Sequence, residues 1–365
     1  MTQHRGTVVV AMSGGVDSSV AAAVLLEQGC EVVGFTMQIW PRDMQPEVPA
    51  ELRGCCGLDA VDSARRVART LGIRHYVLNL REAFERFVID PFCDEYARGR
   101  TPNPCIRCNT FVKFGPLLQR AAEIEAERLA TGHYARVAFD EQSSRWKLLR
   151  GADRQKDQSY SLYGLGQEQL SRAIFPLGEM SKQEVRSRAA ELGLSSAERP
   201  ESQEICFVSG AGYRDYLARR RPEVVQPGAI VDREGRQLGR HQGVAFYTIG
   251  QRRGLRVAGG KPLYVIGIDV ARNRLIVGGD EQAGFDGLAM EEVNYVSRGE
   301  LPAEGMALAV KIRSTGPAAP CRAEPEEDGV RLRFEPPQRA VSPGQAAVCY
   351  EGEEVALGGT IRAGF

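Results

Sequence analysis

Short apolar runs alternate with amphipathic stretches through the first half of the chain. TVVVAM leads into the Gly-rich turn SGGVDSS and then VAAAVLLEQG, whose apolar spacing predicts a helix closed by Gly29. EVVGFTMQI predicts a second strand, LDAVDSARRVARTLG an amphipathic helix, HYVLNL a third strand and ERLATGH the next. EAFERFVIDPFCDEYARG and FVKFGPLLQRAAEIEA read as further helices. Strands spaced by helices imply a doubly wound parallel sheet covered on both faces, an α/β class. After the helical SKQEVRSRAAELGL the texture changes, and Gly-punctuated runs such as GVAFYTIG, LYVIGIDV and RLIVGGD predict a small β-rich region. A further change near residues 284–290 introduces MALAVKIRS, GVRLRFE and GQAAVCYEG, spaced by turn signals as in small β-barrels. The expected domains are 1–207, 208–284 and 285–365.

Two loops interrupt the first region: residues 39–57, ending in GCCG, and residues 99–109, GRTPNPCIRCN. Long loops in compact domains are usually functional or disordered.

Composition narrows the class. No apolar stretch is long enough to span a bilayer, and the first residues lack the pattern of a secretory signal, so a cytoplasmic protein with no membrane partner is expected. Lys plus Arg equals Asp plus Glu at 47 each, so a nucleic-acid contact would have to be local. Arginines crowd residues 214–256, a density that suits a phosphate-tracking face or a solvated surface. Nine cysteines in such a chain suggest metal or redox chemistry rather than a disulfide framework.

The turn Ser13-Gly14-Gly15-Val16-Asp17-Ser18, preceded by Ala11 and Met12, lies between a predicted strand and a predicted helix. Backbone N–H groups and the helix dipole favour an anion there. The glycines allow close approach of phosphate, the hydroxyls of Ser13, Ser18 and Ser19 can bond it, and Asp17 can hold Mg2+ or cap the helix. No Lys follows the glycines, which excludes a Walker A loop. The string resembles the SGGxDS signature of the PP-loop ATP pyrophosphatases, which cleave ATP between its α- and β-phosphates. Met37, on the second strand, falls near the switch-point crevice of such a sheet.

Cys105 and Cys108 stand in CxxC spacing, and Cys206 follows in SQEICFV. This spacing suits disulfide exchange, zinc or an iron–sulfur cluster. Structural zinc is disfavoured because no second CxxC or His pair completes a four-ligand set.

SGGVDSS, GCCG, TPNPCIRCN, ATGHYAR, KDQSY, LGEMSKQEVR, SQEICFV, YTIGQRRG and PGQ, in this order and over nearly the whole chain, resemble the tRNA-specific 2-thiouridylase family. The resemblance implies a sulfurtransferase that uses ATP and Mg2+ to adenylate the C2 oxygen of a tRNA wobble uridine and then displaces AMP with sulfur. It implies that Cys206 carries a persulfide received from a sulfur-relay or cysteine desulfurase donor, and that Cys108 resolves it, leaving a Cys108–Cys206 disulfide. By the same resemblance Asn103, Pro104, Cys105, Lys156, Asp157 and Gln158 meet the target base and its neighbours, and Arg313, Ser314 and Gln345 meet tRNA. His133 touches tRNA or nucleotide, and Gly132 beside it belongs to the ATP site.

Two departures matter. Some relatives have Asp where this chain has Cys105, and three thiols admit a second reading in which Cys105, Cys108 and Cys206 hold a 4Fe-4S cluster. Ser314 stands where some relatives have an aromatic, so it cannot stack on a base. Ammonia-delivering PP-loop enzymes need no thiols, and an intact SGGVDSS argues against a noncatalytic scaffold. Cys55 and Cys56 match the family loop without a derivable role. Cys30, Cys93, Cys321 and Cys349 read as buried small apolar residues.

Overall fold

The computed structural model describes residues 6–40, 58–197, 205–208, 212–257 and 262–365. Cys55 and Cys56 lie outside them. The chain forms two compact units that are not contiguous in sequence. The first comprises residues 1–89, 104–210 and Glu353–Val355; the second comprises Asp90–Asn103, 211–352 and 356–365.

In the first unit the strands are β1 (Thr7–Ala11), β2 (Glu31–Gln38), β3 (Arg74–Asn79), β4 (Arg128–Ala130), the hairpin β5 (Ala135–Asp140) and β6 (Arg145–Arg150), and the short β7 (Ala173–Ile174). Five of them form a parallel sheet in the order β3-β2-β1-β4-β7. The order reverses between β1 and β4, which opens a crevice at the strands' C-terminal ends. Helices α1 (Val16–Glu27) and α2 (Leu58–Leu71) follow β1 and β2. β1 is buried at Val8, Val9 and Val10, and α1 is buried almost all round, so the pair forms the centre of the core with Leu177, Val185 and Ala189. Gly29, at φ +82°, ends α1 as its position predicts.

The expected long helix after β3 divides into Arg81–Phe84, a π-helical stretch Glu85–Ile89, and Asp90–Ala97, the last in the second unit. The next one also divides, into a π-type stretch Asn109–Leu117, kinked at Gly115 and holding Pro116, and Leu118–Ala122.

The second unit holds a four-stranded sheet of β8 (Gly228–Val231), β9 (Gln237–His241), β10 (Tyr264–Asp269) and β11 (Arg274–Gly278), ordered β10-β11-β8-β9. It also holds β12 (Gly284–Tyr295), β13 (Met306–Lys311), β14 (Ala319–Glu326), β15 (Gly329–Arg339), β16 (Ala346–Glu351) and β17 (Glu354–Gly364). These six run β12-β15-β14-β13-β16-β17, and β17 pairs back onto β12, closing an antiparallel barrel around Leu288, Val310, Leu332, Cys349 and Leu357. Closure removes the exposed edge of the sheet. GVAFYTIG is not a strand: Val244–Phe246 is one 3-10 turn, and Val244, Ala245, Phe246 and Tyr247 are all buried, a run without alternation that either structure can produce.

Candidate active site

Gly14 turns the chain at φ +72°, and a Cβ there would stand 2.4 Å from the Ala60 carbonyl oxygen. Only glycine fits that turn. Gly15 is the extended N-cap of α1, so the first N–H groups of the helix face the loop. Ser18 Oγ donates to the Gly15 carbonyl at 3.2 Å and accepts from the Ser13 N–H at 3.2 Å, while Ser19 Oγ donates to the same carbonyl at 2.8 Å. Below the loop, Ser63 Oγ donates to the Gly14 carbonyl at 2.9 Å and Thr36 Oγ1 to the Met12 carbonyl at 2.8 Å. Having spent its proton there, Thr36 accepts from His75 Nε2 at 2.8 Å, which fixes that imidazole's tautomer. Burial and the charge of Arg65 hold His75 below its ordinary pKa.

A cavity of about 180 Å³ lies at this end of the sheet. Of the residues expected at nucleotide, Ala11, Met12, Ser13, Asp17, Ser18, Met37 and Gly132 line it. Gly132 approaches the loop so closely that a Cβ would meet Asp17 C and Ser18 N at 2.7 Å. A helix N-terminus, clustered hydroxyls and two glycines at backbone contact make a cradle that fits a polyphosphate chain. His133 and Gln158, expected at tRNA, line the same cavity, joined by Phe35, Thr36, Lys113 and Thr131.

Asp17, Lys182, Lys113 and His133 set the electrostatics. Buried Lys182 places Nζ 2.7 and 2.9 Å from the two oxygens of Asp17, and the Tyr134 hydroxyl donates to Asp17 Oδ1 at 2.8 Å. The string Ser-Lys-Gln-Glu forms a capping box, with Ser181 Oγ accepting from the Glu184 N–H and Glu184 Oε2 accepting from the Ser181 N–H at 2.6 Å. This puts Lys182 on the first position of its helix, where the dipole disfavours a cation and the Asp17 carboxylate offsets it. Lys113 donates to Asn109 Oδ1 at 2.9 Å, and Asn109 Nδ2 donates to the Ser161 carbonyl at 2.9 Å. His133 Nδ1 lies 2.6 Å from Thr131 Oγ1. Desolvation, then the Lys113 charge, pushes His133 well below its ordinary pKa, so the ring is neutral at neutral pH.

The thiols sit on other elements of this unit. Cys105 and Cys108 lie on the short helix Pro104–Cys108; Cys105 is exposed and Cys108 half-buried. Arg107 Nε donates to the Phe87 carbonyl at 2.8 Å. Cys206 is half-buried next to Phe207, whose ring packs edge-on against Phe84 at 5.6 Å. Both thiol-bearing segments are thus pinned to one helical stretch, Arg81–Ile89. Among the described residues no three His, Cys, Asp or Glu side chains gather to hold a metal ion. Cys105 is open to solvent, and Cys108 and Cys206 are half-buried.

Several of the remaining expected residues have identifiable partners. Asp157 Oδ1 accepts from the Gly151 and Ser159 N–H groups at 3.1 and 3.0 Å, while the Lys156 N–H donates to Asp153. Gln158 Oε1 accepts from the Tyr134 N–H at 3.1 Å. In the second unit Gln345 Nε2 donates to the carbonyls of Thr101 and Pro102 at 3.0 and 3.2 Å, bracing the backbone before Asn103. Arg313 and Ser314 are exposed, with Arg313 Nη2 reaching the Ala340 carbonyl at 3.4 Å. Of the crowded arginines, Arg221 and Arg236 pair with Asp94 and Asp232.

Sequence reasoning passed over Lys182 and Lys113. The SxxE box starting at Ser181 marks Lys182 as a helix-start cation, a position that asks for a counter-ion. Nothing local marks Lys113, whose place depends on the π-type stretch after Cys108.

Residues 6–210 match the model described as the tRNA methyl transferase HUP domain, 214–279 its PRC-barrel domain, and 285–361 an aminomethyltransferase β-barrel domain. The chain is 51% identical to the tRNA-specific 2-thiouridylase MnmA of Heliobacterium modesticaldum over 98% of its own length and 92% of that protein's. It is 51% identical to the same-named protein of Moorella thermoacetica, over 97% and 98%. Among solved structures, a 4-thiouridine synthetase–RNA complex with bound ATP aligns at TM-score 0.37 and 19% identity, covering 60% of this chain and 51% of that one. Among the described residues no helix is long and apolar enough to cross a membrane.

Proposed function

Since the chain belongs to the tRNA-specific 2-thiouridylase family, we propose that its cradle and its thiols carry out the two halves of an ATP-dependent tRNA thiolation. The protein is a tRNA-uridine 2-sulfurtransferase that consumes ATP. The observation that carries the assignment of roles is the cradle built from Gly14, Gly15, Ser18 and Gly132 at the N-terminus of α1.

In the first half, the C2 oxygen of the wobble uridine attacks the α-phosphorus of ATP and pyrophosphate leaves. The N–H groups of α1 and the Ser13 and Ser18 hydroxyls hold the phosphates. Lys113 adds a positive charge at the cavity wall, and neutral His133 offers a hydrogen bond without a second charge. Asp17, held in place by Lys182 and Tyr134, would be the carboxylate beside a Mg2+ bound with ATP, and that ion would supply charge neutralisation to the phosphates.

In the second half, the terminal sulfur of a Cys206 persulfide attacks C2 and AMP leaves with the C2 oxygen. Cys108 thiolate then attacks Cys206 Sγ, breaking the S–S bond so that the sulfur stays on C2 and a Cys108–Cys206 disulfide remains for a thiol reductant. The anchoring of both thiol segments on Arg81–Ile89 supports this pairing, and no step is routed through an iron cluster. Asn103, Pro104, Cys105, Lys156, Asp157 and Gln158 would border the base and its neighbours, while Arg313, Ser314 and Gln345 would lie along the tRNA. The persulfide comes from a relay or desulfurase protein.

The test is iron and acid-labile sulfide content of anaerobically purified protein, with tRNA thiolation measured from a persulfide donor. Iron-free protein that thiolates tRNA, and loses this in Cys108→Ser and Cys206→Ser, is the expected result. About four irons per chain, with activity lost on their removal, would replace the persulfide route with a cluster.

A further inference from the structure

Phe111 leaves 43% of its surface in water, and Phe87 is half-buried beside it. Their rings stack at 6.1 Å between centroids and 23° between planes. The Arg107 guanidinium stands 4.9 Å from the Phe111 ring centroid, and Arg86 stands 5.1 Å over Phe87. The result is a surface pair of stacked rings flanked by two guanidinium groups. Two π-helical stretches produce it: Glu85–Ile89 presents Arg86 and Phe87, and Asn109–Leu117 presents Phe111. Arg107 links them by its bond to the Phe87 carbonyl. π-Helical insertions cost backbone regularity and recur at functional sites.

We propose that Arg86, Phe87, Arg107 and Phe111 form a stacking platform for unpaired anticodon-loop bases of the tRNA, a reading that rests on tRNA being the substrate. Three observations carry it. Phe111 keeps 43% of its surface open beside the stacked Phe87 ring, and every base has a π-face that can extend such a stack. Two guanidinium groups beside the rings match the phosphates that accompany those bases, so charge selects RNA over an apolar peptide. Arg107 lies between Cys105 and Cys108 on one short helix, so the platform adjoins the thiols assigned to the wobble base. A base drawn out of the anticodon stack for chemistry loses its neighbours' stacking, and the platform supplies a replacement to those left unstacked.

The test measures equilibrium binding of unmodified tRNA to the full chain across a salt series, with ATP affinity in the absence of tRNA as a control. Phe111→Ala should weaken tRNA binding about 10-fold with the salt slope and ATP affinity unchanged, and Phe111→Trp should restore it. Arg86→Gln should lower the salt slope by about one. If wild-type protein thiolates tRNA yet Phe111→Ala binds tRNA as tightly as wild type, the platform is refuted while the thiouridylase reading stands. Loss confined to sulfur transfer from the donor protein would also refute it, because the surface would then receive protein. Wild-type protein that thiolates no tRNA would bring down both.

Discussion

Lys182 grips both carboxylate oxygens of Asp17 across 165 residues of sequence, tying the start of one helix to the first turn of another. Positive charge at a helix N-terminus and negative charge beside a phosphate cradle are each unfavourable alone. Paired, they neutralise one another and leave the α1 dipole to face the anion.

Lys182→Met should therefore cost about 1–3 kcal/mol, below the usual penalty for breaking a buried pair because Asp17 keeps 33% of its side chain open to water. ATP affinity should fall about 10-fold as Asp17 loses the partner that orients it beside the cradle. Adding Asp17→Asn to Lys182→Met should recover part of the stability, and strict additivity in this cycle would show the two residues uncoupled.

Gly132→Ala and Gly15→Ala should behave differently although both glycines belong to the cradle. A methyl at 132 meets backbone atoms of Asp17 and Ser18 at 2.7 Å, whereas one at 15 finds only Ser13 Oγ at 3.5 Å. We expect Gly132→Ala to lower stability by about 1–3 kcal/mol and abolish measurable ATP binding. Gly15→Ala should stay within about 1 kcal/mol of wild type. Equal thermal melts for the two would mean that β4 and α1 adjust more freely than their packing implies.

His133 gives an acid dependence with a definite sign. Its folded pKa lies well below the ordinary 6.5, so the unfolded chain takes up the proton first as pH falls. Stability is fully present above pH 6.5 and declines below it, by at most about 1.4 kcal/mol per pH unit. Replacing His133 with Asn should remove that component, so the stability gap between wild type and variant narrows between pH 7.5 and 5.5. Urea unfolding followed by tryptophan fluorescence reads the relevant unit, since Trp40 and Trp146 both lie in it. A gap that ignores pH would place the native ring in water.

The sheet was legible because β1, α1, β2 and α2 each carry their own period and their own stops, Gly29 among them. The turn at Ser13–Ser18 was legible for the same reason, since its glycines answer contacts made within one turn or with the next helix. What escaped depends on distant partners. Lys182 has meaning only opposite Asp17, and Lys113 only where Asn109–Leu117 widens into a π-type turn. The hairpin β5–β6 gives little periodic signal because its outer face is wet, with Phe139 exposed. Gln345 reads by resemblance as a tRNA contact, yet its amide bonds Thr101 and Pro102, carbonyls no local pattern could associate with it.

Glu353 accepts from Arg136, its carbonyl accepts from the Arg150 N–H, and Glu354 receives Lys147 while facing Leu149 across the strands. During synthesis the nucleotide-binding unit therefore waits for residues made after nearly all of the barrel. A ribosome that stalls before residue 353 would release a first unit whose β5–β6 hairpin lacks its acidic clasp.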